Sequence, residues 1–216
     1  MNRRLILGGA AIAASSALMF SSTSASAQAV TPAQAPAATP AQVARKLFHA
    51  WSGDDRDAAA LVATPSAVNT VFSYVYRAPD RFAGCVGNAC RFVHTSVRVP
   101  GALNGILMIV SGSKVTKVYQ SRHITKPSAV ATRLFTAWTW NDRNRGREIA
   151  SEAAVKTLFR VKYDPHGVSH TFQGCTAEPK GYVCAYSYEG GALLMHLPRG
   201  SKHAGYEVRS ISYIAD

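Results

Sequence analysis

The 216-residue chain carries 24 Lys and Arg against 12 Asp and Glu, a net charge of +12, with 47% hydrophobic residues. That length allows one domain or two, and no second apolar run of spanning length follows the first 27 residues, which excludes a transmembrane segment from the mature chain. The basic residues are scattered, and no nucleic-acid motif of the usual kinds appears, so nucleic acid is not an expected partner.

Residues 1–27 read as an export signal. Asn2, Arg3 and Arg4 form a short cationic start, residues 5–20 are apolar and small, and Ala25-Ser26-Ala27 is a small-x-small cleavage site. The expected mature chain begins near Gln28 and is secreted or otherwise extracytoplasmic. Arg3 and Arg4 fit either a twin-arginine signal or ordinary n-region charges, and the second reading is favoured because the flanking consensus is thin. Residues 28–39 are rich in Ala and Pro and form a tether.

From Pro40 the chain repeats itself. Ala44-Arg-Lys-Leu-Phe-His-Ala-Trp51 aligns with Ala131-Thr-Arg-Leu-Phe-Thr-Ala-Trp138, and the same offset carries Asp55-Arg56 onto Asp142-Arg143. Further on, Phe82 and Gly84-Cys85 match Phe172 and Gly174-Cys175. Self-similarity over this length predicts two tandem modules, 40–126 and 127–216, joined so tightly near Pro127 that contact between them is expected.

Within each module the pattern is helical first. Val43, Leu47, Phe48, Ala50 and Trp51 recur at helical spacing, as do Val130, Leu134, Phe135, Ala137 and Trp138. Ser52-Gly53-Asp54 breaks that helix. A second stretch is predicted over 56–61, interrupted by Pro65, with helical periodicity resuming over 67–74; the second module does the same over 143–159. The period then changes to two. Strands are predicted through residues 90–97 and 182–188, then over 106–110 and 193–197, then over 115–124 and 206–214, with turns at 111–114 and 199–202. Helices followed by sequential strands imply an α+β fold with an antiparallel sheet packed on one face by helices.

Four cysteines allow three pairings. The repeat selects Cys85 with Cys90 and Cys175 with Cys184, each pair bracketing a turn between adjacent strands.

These motifs together resemble the NTF2-like (cystatin-like, cone-shaped α+β) domains of small exported proteins from high-GC Gram-positive bacteria. The resembling run is Ala-x-x-Leu-Phe-x-Ala-Trp, a short Asp-containing break, an Ala-rich second helix, then Phe-x-Gly-Cys before a strand with the second cysteine. It covers residues 40–216 and implies a curved sheet wrapped around helices, with a cavity on the concave face. That superfamily contains isomerases and dehydratases as well as members without catalysis. No catalytic residue of an enzymatic member matches a position here.

Little in the chain suggests chemistry of its own. Ser111 and Lys114 fit Ser-x-x-Lys, but in a predicted hairpin turn. His166 and His170 are four apart, but Pro165 and Gly167 argue against a helix and no Cys or acidic ligand set stands with them, so no metal or cofactor is expected. Aligning Cys90 with Cys184 places Phe92 opposite Tyr186 and His94 opposite Tyr188, on one strand face in each module. These four are the pocket candidates if that face is concave, and sheet residues packed beneath the helices if it is not.

The leading expectation is a non-enzymatic exported protein that binds something at the cell envelope or outside the cell. An isomerase- or dehydratase-type enzyme using His94 or Tyr188, and a purely structural domain pair, are the alternatives. A basic chain is drawn to anionic surfaces, so an anionic envelope polymer or lipid surface is the candidate partner, the alternative being that the charge simply keeps the chain soluble. The charge is +7 over 40–126 and +3 over 127–216, so the first module is the expected contact.

Overall fold

The computed structural model describes residues 37–75, 80–199 and 205–215. The expected export signal, and the linker as far as residue 36, lie outside the described residues. The first helix, α1 (Pro40–Ser52), starts on a reciprocal cap. Thr39 Oγ1 accepts from the Gln42 amide at 3.3 Å, Gln42 Oε1 accepts from the Thr39 amide at 2.8 Å, and Pro40 sits at the first helical position. Asp54 (φ 54°) ends α1, and Asn141 (φ 52°) follows α4 (Pro127–Thr139); Asp and Asn tolerate this left-handed conformation.

The next residue in each half caps a second helix. Asp55 Oδ1 accepts from the Ala58 amide at 2.8 Å at the head of α2 (Arg56–Val62). Asp142 Oδ1 accepts from the Arg145 amide at 3.0 Å at the head of α5 (Arg143–Ile149). The recurrent Asp-Arg dipeptide is therefore a cap and the residue it caps. Pro65 opens a separate helix, α3 (Pro65–Phe72), behind the Thr64 cap, and Ser151 caps its counterpart α6 (Glu152–Leu158).

Four antiparallel strands follow each set of three helices, each sheet in chain order. The first holds β1 (Asp80–Val86), β2 (Ala89–His94), β3 (Leu103–Ser111) and β4 (Lys114–Arg122). The second holds β5 (Thr171–Glu178), β6 (Gly181–Tyr188), β7 (Gly191–Pro198) and β8 (Ser210–Ala215). The class is α+β, with six helices and two four-stranded antiparallel sheets among the described residues. β1 breaks register between Phe82 and Gly84, and β5 between Phe172 and Gly174. Gly84 (φ 101°) and Gly174 (φ 96°) take backbone angles that side chains disfavour, which explains the recurrent glycine before each cysteine. One residue later the disulfides Cys85–Cys90 and Cys175–Cys184 join directly opposed positions.

Several strand limits differ from the sequence pattern: β3 starts at Leu103 rather than at 106, β4 ends at Arg122 rather than at 124, and β7 spans Gly191–Pro198 rather than 193–197. The alternation through residue 97 stops as strand at His94. The last strand begins at Ser210 rather than at 206, because the Tyr206 amide donates to Ile124 O at 2.8 Å and Val208 bridges to Ala150 between α5 and α6. Part of the expected 199–202 turn lies outside the described residues.

Each half has its own apolar cluster between helices and sheet. Phe48 of α1 stacks on Phe92 of β2 with centroids 4.2 Å apart, and Phe135 of α4 stacks on Tyr186 of β6 at 4.1 Å. Trp51 and Trp138, 6% and 7% exposed, pack edge-on against those phenylalanines.

The reverse faces of the two sheets differ. Ile106 to Val110 of β3 are all buried, so its apolar run is continuous, whereas β7 alternates buried and half-buried positions. Across the reverse face of the first sheet, Arg91 donates through Nη1 to Glu148 O at 3.1 Å and through Nη2 to Arg147 O, near the end of α5. The Tyr119 hydroxyl donates to Asp142 Oδ1 at 3.1 Å. A cation on the last carbonyls of a helix is favourable. Glu148, 5% exposed, pairs with Arg133 at 2.7 Å; its carboxyl is pushed up by burial, with the Arg133 charge opposing.

Both tryptophans sit where truncation leaves a large void. Trp51→Ala and Trp138→Ala are each expected to cost about 3–5 kcal/mol. Urea unfolding followed by circular dichroism measures this, and a loss below about 1 kcal/mol in either contradicts the packing described.

Candidate functional site

Three of the four pocket candidates go into packing. Phe92 (2% exposed) and Tyr186 (4%) lie beneath the α1 and α4 rings. His94 is buried as well, with Ser96 Oγ 3.4 Å from its Nε2. Tyr188 alone lines a cavity, of ≈ 360 Å³, in the second half.

That cavity is assembled from one end of the helix layer and one end of the sheet. Trp138, at the end of α4, forms its floor, and its indole Nε1 donates to Val161 O at 2.8 Å. This bond holds the irregular segment after α6 against the aromatic wall. The segment then turns back on itself: the Gly167 amide donates to Asp164 O at 3.1 Å, and Asp164 Oδ1 accepts from the His166 amide at 2.9 Å. The turn delivers His170 among rings. Its imidazole centroid lies 5.2 Å from Tyr188, 5.3 Å from Trp138 and 5.6 Å from Phe135. Tyr163 closes on Trp138 at 5.0 Å. Tyr213 of β8 completes the lining.

The rim is amphipathic. Val161 (63% exposed), Val168 (49%) and Tyr213 (42%) present apolar surface around the opening, and Arg160 and Lys162 flank it against a single acid, Asp164. Burial pushes the Tyr213 hydroxyl up, with the Arg160 charge opposing. Burial lowers His170, partly offset by the Val168 backbone, so the neutral ring is favoured. His170 Nδ1 makes no hydrogen bond within bonding geometry.

In the first half, Tyr74 (3% exposed) packs edge-on against Trp51 at 5.6 Å, as Tyr163 does against Trp138. Ser111 and Lys114 face each other across the β3–β4 turn, with Gly112 at φ 58°. His166 is exposed and apart from the ring cluster that holds His170. Among the described residues no group of three or more His, Cys, Asp or Glu is placed to hold a metal ion, and no helix among them is long and apolar enough to cross a membrane. The two disulfides are compatible with an extracytoplasmic location.

The fold thus defines an α+β protein with an aromatic-lined cavity at the end of its second sheet. No family model, no curated protein and no solved structure matches the chain.

His170 links the cavity to pH. A histidine lowered in the folded state leaves the unfolded chain to take up the proton first, near pH 6.5. Its contribution to stability is therefore present above that pH and is lost as pH falls through it toward the folded value. The difference in stability between wild type and His170→Asn is expected to move against wild type between about pH 7 and pH 5. A pH-independent difference in urea midpoints contradicts this.

Proposed function

We propose that the protein is an exported, non-enzymatic binding protein built of two related modules, 40–126 and 127–216, with the NTF2-like resemblance describing both. Its ligand is a small, planar, largely apolar molecule bearing one anionic group, held in the cavity of the second module at the envelope or outside the cell. The observation that carries this reading is the lining: Trp138, Tyr163, Tyr188 and Tyr213 supply ring faces, and Arg160 and Lys162 outnumber Asp164 at the rim. Pockets of about 300–1,000 Å³ take small molecules, and this one lies at the lower end.

Support for the two modules comes from matching detail. The caps at Asp55 and Asp142, the bulges at Gly84 and Gly174 and the disulfides beside them recur at corresponding places. Such agreement is what duplication of one unit leaves behind.

An isomerase- or dehydratase-type reading uses the same cavity, with neutral His170 as a base beside Tyr188. Binding is preferred because the one acid in the lining, Asp164, accepts from the His166 amide and is not set against His170 to orient its ring.

The probe is 1-anilinonaphthalene-8-sulfonate, which combines fused rings with one anionic group. The full chain is expected to bind one equivalent, with energy transfer from tryptophan. Arg160→Glu with Lys162→Glu is expected to weaken binding about tenfold, and Val168→Asp to abolish it. Equal affinity in all three proteins, or several unsaturated sites, argues against the cavity as the binding place.

A further inference from the structure

The segment that walls the aromatic cavity contains a chemically weak peptide bond. Asp164-Pro165 is the one Asp-Pro pair in the 216 residues. An aspartate carboxylate can close a five-membered ring onto its own peptide carbonyl carbon. The nitrogen beyond that carbonyl belongs here to proline. It is a tertiary amide with no N–H, more basic than an ordinary peptide nitrogen and a better leaving group once protonated.

The fold closes a turn over this bond. Residues 164–169 are exposed, so water and protons reach it. Asp164 Oδ1 accepts from the His166 amide at 2.9 Å, which holds the carboxylate beside its own peptide unit. The Gly167 amide donates to Asp164 O at 3.1 Å. That N–H points at the oxygen on which negative charge develops when the carbonyl is attacked. A Cβ at Gly167 would lie 3.3 Å from Asp164 Cβ and 3.5 Å from Asp164 Cγ, so glycine lets the chain fold back onto the reacting group. On the segment itself stand Arg160, Lys162 and His166, and from the sheet Tyr188 and Tyr213 face the same cavity.

The bond also falls at a boundary between layers. Helices α4, α5 and α6 precede it, and strands β5 to β8 follow it. Cys85–Cys90 lies before it and Cys175–Cys184 after it, so neither disulfide spans it. Of the cavity wall, Trp138, Val161 and Tyr163 stand before the bond, and His170, Tyr188 and Tyr213 stand after it.

We propose that Asp164–Pro165 is a self-cleavage site, at which the protein cuts its own chain in mild acid and frees one wall of the cavity from the other. The Asp164 carboxylate attacks its own carbonyl carbon, forming a C–O bond and a five-membered cyclic anhydride. The Asp164–Pro165 C–N bond breaks, and its electron pair goes to the Pro165 nitrogen, which takes up a proton from water. A water molecule then opens the anhydride, leaving Asp164 as a chain end with two carboxyl groups. The net change is the addition of one water. Acid speeds the step because the leaving nitrogen must gain a proton, and the turn speeds it by holding carboxylate, carbonyl and the Gly167 N–H together. The site does not depend on what the cavity binds.

The full chain is incubated folded and in urea, at about pH 5 and about pH 8, and followed by intact mass. Two fragments are expected whose masses sum to that of the parent chain plus one water, with Pro165 as the new N-terminus. At the lower pH the folded chain is expected to cut at least about tenfold faster than the urea-unfolded chain, which lacks the turn. Asp164→Glu, which must close a six-membered ring, is expected to slow cutting about tenfold, and Pro165→Ala to abolish it; both positions are exposed, and Tm is expected to hold. An intact chain at the lower pH, equal rates folded and unfolded, or undiminished cutting in Asp164→Glu overturns the proposal.

Discussion

One stacked ring pair fixes each leading helix on its sheet. Phe48 on Phe92 and Phe135 on Tyr186 lie nearly parallel, at interplanar angles of 3° and 8°. In each pair the strand ring is buried and the helix ring is half-buried against the apolar cluster, and close packing beneath them leaves little room for the helix to slide or roll. The tryptophan one turn further on is thereby pinned: Trp51 meets Tyr74, and Trp138 meets Tyr163. In the second half the same constraint places the Trp138 indole N–H on Val161 O, and the cavity follows from that bond. Beneath the stacks, bulge and disulfide lock the first hairpin of each sheet, so the ring on β2 or β6 keeps its register.

The same sequence pattern meets two environments. The reverse face of the first sheet is occupied by Arg91 and Tyr119 bonded to α5, and by the apolar patch of Ala89, Leu107 and Ile109. The second sheet keeps half-buried residues there, including His196, whose Nε2 lies 2.8 Å from Ser212 Oγ. Buried charges at the first face are matched in kind: arginine meets helix-end carbonyls, and Glu148 meets Arg133. Such pairings are costly to break from one side, because the remaining partner is left buried.

Much of the architecture was legible because local signals agreed with one another. Leu47, Phe48 and Trp51 share a helical stripe, Gly84 and Gly174 precede cysteines, and the repeat cross-checks both. Strand ends were less legible, since Val97 continues an alternation that pairing abandons at His94. The candidate site was legible only at Tyr188. Tyr186 shares its strand face and Phe92 holds the matching position on β2, yet face position alone cannot say which residue lies under a helix and which lies beyond its end. His170 drew notice for its spacing from His166, whereas its role comes from a loop, residues 160–170, without periodicity.

The central claim is that ligand binding belongs to the second half, at a wall set by Trp138. The most direct measurement follows the three tryptophan indole N–H signals by NMR while a planar aromatic acid is titrated into the labelled chain. The account predicts that the Trp138 signal shifts and saturates together with the His170 ring, while Trp51, packed within the first core, stays in place. Equal movement of Trp51 and Trp138, or no movement of Trp138 at saturating probe, contradicts it.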